Sequence, residues 1–71
     1  MDIKIAVGQR IKELRKIRDI TQEQLAYISE LDRTYINSVE NGRRNISIVN
    51  LEKITIGLKV KLDDFFDDKL F

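Results

Sequence analysis

Arg33, Thr34, Asn37, Ser38 and Asn41 recur at spacings that put them on one side of a helix, and their chemistry is that of short hydrogen-bonding groups. At 100° per residue, Ile36 and Val39 fall on one side of the segment Arg33 to Asn41, and the polar residues form a continuous arc opposite. A merely solvated helix face carries long Glu and Lys side chains. Short amides and hydroxyls beside one guanidinium can instead approach the edges of base pairs in a major groove, where Arg33, Thr34, Asn37 and Ser38 would read bases. Gly42-Arg43-Arg44-Asn45 follows directly, so its cations would lie where a phosphate backbone passes. Gln22, in the first turn of the preceding segment, stands where free backbone N–H groups suit a phosphate. The competing reading of the arc is an ordinary polar surface, and that of the Arg43-Arg44 loop a solvated charged turn.

These residues need rigid elements to position them. A helix opens at Thr21, whose hydroxyl can cap the chain while Gln24 reaches back to close a capping box, and runs to about Ser29. Glu30 and Leu31 form a tight turn. A second helix opens at Asp32 and stops at Asn41-Gly42, where glycine can take the left-handed conformation. Two short capped helices, a tight turn and a basic loop form the layout of a helix-turn-helix, over about residues 21–41.

At these positions the chain resembles the Cro/repressor-like, XRE-type helix-turn-helix family. The match runs through Gln22-Glu23-x-Leu25-Ala26, Tyr35-Ile36, Glu40-x-Gly42 and Leu51-x-x-Ile54. More narrowly, Leu31 to Ile36, Val39-Glu40 and Arg44 to Ile48 resemble the controller proteins of restriction-modification systems. The resemblance implies base contacts at Arg33, Thr34 and Ser38 and phosphate contacts at Gln22, Asn41, Arg44 and Asn45; Arg43, by its place in the basic loop, and Tyr35 are expected in the phosphate set as well. It also implies an internal ion pair between Arg15 and Glu40. Two departures stand out: Asp19 where relatives have Gly, and Asn37 where many have Ser.

Seventy-one residues support one domain with a small core, for which oligomerisation is a natural supplement. Cysteine, histidine and proline are absent, which excludes disulfides, thiolate zinc sites and imidazole or thiol catalysis; no cofactor, metal or enzymatic activity is expected. No apolar run approaches the roughly 20 residues of a membrane span, and the N-terminus has no signal-peptide core, so a soluble, cytoplasmic protein is expected. The net charge of +1 is modest for a nucleic-acid binder. Residues 1–46 hold nine Lys and Arg against seven Asp and Glu, and residues 47–71 hold four against five. Asp63, Asp64, Asp67 and Asp68 should therefore face away from DNA.

The whole chain reads as a single all-α, five-helix, lambda-repressor-like domain over 1–71. Helix 1 spans about Ile3 to Arg18 behind a cap at Asp2, with Val7, Ile11, Leu14 and Ile17 along its apolar face. Its Arg10, Lys12, Lys16 and Arg18 read mostly as a solvated basic face. Helix 4 opens at Ser47 and turns Ile48, Leu51, Ile54 and Leu58 inward, leaving Val49 and Ile56 on a second apolar face. Helix 5 starts near Leu62. Adjacent residues diverge by about 100°, so Phe65 and Phe66 cannot both enter one core. Val49, Ile56, Phe65 and Phe66 thus mark a dimerisation region over about 47–71. The expected partners are double-stranded DNA with a palindromic operator, a second copy of the chain, and RNA polymerase. The resemblance implies both activation and repression of the protein's own promoter. A phage or chromosomal repressor, or an antitoxin-like module using the C-terminal acidic and aromatic surface, is the alternative.

Overall fold

Five helices make up the computed structural model, which describes residues 1–71: α1 (Ile3–Ile17), α2 (Gln22–Ser29), α3 (Arg33–Glu40), α4 (Ile48–Leu58) and α5 (Leu62–Phe66). The starts follow the expected caps. Asp2, Thr21, Asp32 and Ser47 each accept a backbone N–H in the first turn of the helix they precede. At Thr21 the capping box is complete, with the hydroxyl 3.0 Å from the Gln24 N–H nitrogen and the Gln24 amide oxygen accepting from the Thr21 N–H at 2.8 Å.

The ends share one device. α1, α2, α3 and α4 are each followed by a residue of positive φ: Asp19 (58°), Glu30 (56°), Gly42 (73°) and Lys59 (58°). The next N–H then turns back five residues into the helix: Ile20 to Arg15, Leu31 to Ala26, Arg43 to Ser38 and Val60 to Thr55. This pattern satisfies carbonyls that a helix end would otherwise leave unpaired. Ile20, Leu31 and Val60 then fold onto the core, so three of the four reversals are pinned by an apolar contact.

The core gathers Val7, Ile11 and Leu14 of α1, Leu25 and Ala26 of α2, Ile36 and Val39 of α3, Leu51, Ile54 and Leu58 of α4, and Phe65 of α5. α1 and α3 meet at Gly8, where a Cβ would collide with the Val39 carbonyl oxygen and stand 2.8 Å from that of Glu40. Only a glycine lets α1 approach the end of α3 so closely, which fixes the angle at which α3 leaves the core.

Several expectations are corrected. Ile17 and Ile48 point outward, at 72% and 71% exposure, because the loops after α1 and before α4 leave those turns uncovered. Phe65 is fully buried and is a core residue, not an interface residue; Phe66, 38% exposed, is the outward ring. Val49 and Ile56 do lie on an exposed face of α4. Arg10 does not belong to a solvated basic face, and Arg18, though exposed, is tied to α4. The Arg10 guanidinium donates to the Phe65 and Asp64 carbonyls at 2.7 and 2.9 Å and meets Asp68 at 3.2 Å, and Arg18 donates to the Leu58 carbonyl at 2.8 Å.

Candidate nucleic-acid interface

α3 carries the exposed row. Its Ile36 and Val39 are buried, which turns Arg33 and Thr34 fully outward and leaves Ser38 half-exposed one turn later. Arg33 makes no hydrogen bond or ion pair within the protein, so its guanidinium donors are free for an outside acceptor.

Asn37 differs from the other three expected base readers. It is half-buried, its side-chain oxygen accepts from the Asn41 amide at 2.7 Å, and its amide nitrogen lies 3.5 Å from the Gln22 amide oxygen, too long for a strong bond. Gln22 in turn donates to Glu40 at 3.1 Å. Arg15 grips the same carboxylate with two hydrogen bonds, of 2.7 and 3.0 Å, and also donates to the Ile20 carbonyl. The Arg15–Glu40 pair is thus present as expected. It forms the hub of a polar chain tying α1, the start of α2 and the C-terminal half of α3. The Glu40 side chain is almost wholly buried, and removing either partner would strand a charge at a cost of about 3 to 5 kcal/mol.

The remaining expected phosphate contacts surround this row. Gln22 opens α2, Asn41 caps α3, and Arg43, Arg44 and Asn45 are exposed in the loop to α4. Arg44 is not loose: its guanidinium carbon lies 5.1 Å from the centre of the Tyr35 ring, within range of a cation–π contact. Tyr35 is half-buried against the core, and its hydroxyl accepts from the Asn50 amide at 3.2 Å. Asn50 was not among the residues that the α3 pattern marks, because it sits on a different helix, 15 positions along the chain.

A profile of the family described as "Helix-turn-helix" matches residues 11–65, which takes in α2, α3 and α4, the second half of α1 and nearly all of α5. The chain belongs to the helix-turn-helix family. Within that family its similar relatives include control proteins and an immunity repressor protein of Bacillus phage phi105, 41% identical over 58 residues. "Control protein C.MunI" of Mycoplasma sp is 53% identical over 68 residues, covering 94% of this chain and 92% of that protein. The crystal structure of the restriction-modification controller protein C.AhdI from Aeromonas hydrophila superposes with a TM-score of 0.88 at 39% identity, covering 93% of this chain and all of that one. A further relative, the controller protein C.Esp1396I, is 45% identical with a TM-score of 0.86 over 90% of this chain and 84% of its own, in a structure of the tetramer with its natural 35 base-pair operator. Like these controllers, this helix-turn-helix protein is all-α. No helix in it is long and apolar enough to cross a membrane, and no group of carboxylates is placed to hold a metal ion.

Proposed function

We propose that this protein is a sequence-specific DNA-binding transcription regulator, a controller of a restriction-modification system that acts as a dimer on a two-fold symmetric operator. The observation that carries the reading is the unpartnered row Arg33, Thr34 and Ser38 on a helix whose other side is locked into the core. The same helix is flanked by Gln22 at the start of α2 and by Arg43, Arg44 and Asn45 in the loop beyond α3. Arg33 supplies a fork suited to guanine O6 and N7; Thr34 and Ser38 supply hydroxyls that suit any base edge. Asn37 adds a base contact through whichever amide valence its neighbours leave open. The flanking groups fix the register of α3 on phosphates without reading sequence.

A second copy completes the reader. Val49, Ile56 and Phe66 are exposed apolar side chains on α4 and α5, and next to them lies an apolar groove of roughly 230 Å³ lined by Ile3, Val7, Ile46, Ile48, Leu51 and Phe66. Pairing through this face would set two copies of α3 one turn of DNA apart, roughly 34 Å. Activation and repression at one promoter would then follow from where the operators lie, with RNA polymerase as the partner in activation. The C-terminal acidic and aromatic residues are less suited to capture of a foreign protein: Asp68 pairs with Arg10, and Phe71 is folded onto the core. Selection from a random duplex pool tests the reading. The expected product is a palindromic motif with half-sites about one helical turn apart, and recovery of no motif would refute it.

A further inference from the structure

Tyr35, Arg44 and Asn50 come from three different segments, α3, the loop after it and α4, and meet at one point on the rim of the candidate interface. A phenol hydroxyl has one proton to donate and lone pairs to accept with. The Asn50 amide nitrogen, 3.2 Å away, occupies a lone pair, so the Tyr35 proton must point elsewhere, and no protein acceptor lies within reach of it. Arg44 covers the ring face at 5.1 Å and makes no hydrogen bond to the protein, so its donors are also unspent. A hydroxyl proton and a guanidinium facing the same surroundings suit one anionic oxygen, and a hydrogen bond to a charged acceptor is the stronger kind.

Asn50 itself has little other reason to hold that rotamer. Its backbone N–H is already used by the Ser47 cap at 3.1 Å, and its side chain makes no other hydrogen bond. We infer that Asn50 is a positioning residue: through the Tyr35 hydroxyl it aims that proton, beside Arg44, at a single phosphate of the bound duplex. The inference rests on the DNA-binding reading above. It ties α4, the helix that would carry the dimer contact, to a phosphate grip on the rim of the interface beside α3, so the fit between subunits and the fit to the backbone share one hydrogen bond.

The test is a double-mutant cycle on the full chain, with the duplex recovered by selection with the wild-type protein and a scrambled duplex of the same length. Tyr35→Phe keeps the ring under Arg44 and removes only the hydroxyl. Asn50→Ala removes only the aiming amide and leaves the Ser47 cap intact. Each should weaken binding to both duplexes by about tenfold per subunit, the size of one hydrogen bond to a charged group, and the pair together should cost no more than Tyr35→Phe alone. Neither should change the slope of log affinity against log salt, since no cationic contact is lost, whereas Arg44→Ala should flatten it by about one unit per subunit. Circular dichroism and thermal unfolding of each variant separate a lost contact from a lost fold; an Asn50→Asp variant, which can only accept from Tyr35, gives a second route to the same loss if Asn50→Ala is unstable. If Asn50→Ala costs as much in the Tyr35→Phe background as in the wild type, Asn50 does not act through Tyr35 and the inference is overturned while the DNA-binding reading stands. A wild type that binds no duplex at all overturns both.

Discussion

At the scale of single residues, the reading helix divides its polar side chains between two tasks. Arg33 and Thr34 are free, whereas Gln22 is bonded to Glu40 and Asn41 to Asn37. Side chains committed in this way are pre-organised, so they lose little entropy on binding but also have little freedom to choose a base. The sequence-specific energy should therefore concentrate at Arg33. Arg33→Ala should cost roughly 1 to 3 kcal/mol at the selected operator and relax preference at one position per half-site, as read by repeating the selection with the variant. A motif unchanged in the variant would remove Arg33 from the reading set. The exposure of Arg33, Thr34 and Ser38 was legible from helical periodicity, because Ile36 and Val39 had only one side on which to be buried. The Asn50–Tyr35 bond was not, since nothing in local spacing says which residue of α4 meets a side chain of α3.

Among the elements, helix starts were plain and helix ends were not. Asp2, Thr21, Asp32 and Ser47 are cap residues by type, but only Gly42 among the four positive-φ positions is the residue expected there. Asp19, Glu30 and Lys59 adopt the same conformation because the core draws in the apolar residue that follows each of them. Such residues pay about 1 kcal/mol or more for the left-handed region. Lys59→Gly, at an exposed site, should raise stability by about 0.5 to 1 kcal/mol after allowance for the added freedom of the unfolded chain, measured as a shift in urea midpoint at constant slope. α5 presents the opposite case. It is five residues long and its first turn has no side-chain cap, so it is held by Phe65 in the core and by Arg10 on its last carbonyls. A basic residue on α1 reads as solvated in sequence because its partner is 55 positions away. Arg10→Ala should lower stability by about 1 to 3 kcal/mol, with hydrogen-exchange protection lost first over residues 62–68 and retained in α2 and α3.

For the whole molecule, the question is how an 8.4 kDa chain of net charge +1 can bind a strongly charged polymer. Charge alone does not supply it, and pairing two copies does: each half-site interaction makes the other effectively intramolecular, so modest contacts multiply. The outward face of α4 and α5 is what such a chain would pair through, and its division from the core runs between two adjacent rings, Phe65 at 0% exposure and Phe66 at 38%. The sequence required the two rings to diverge; which of them points inward depends on how α5 packs on α4, with Arg10 of α1 holding the α5 carbonyls in place. Phe66→Glu should accordingly give a folded, helical monomer, because an unpaired carboxylate in the subunit contact opposes association far more than it opposes folding of the single domain. Phe65→Glu should abolish the fold. The monomeric variant should bind the selected palindrome much more weakly than wild type and lose its dependence on half-site spacing, while keeping the base preference set by Arg33 within one half-site. Sedimentation at micromolar concentration, with and without the duplex, decides the matter: a wild type that stays monomeric in both conditions and still holds the palindrome at full affinity would refute pairing through this face.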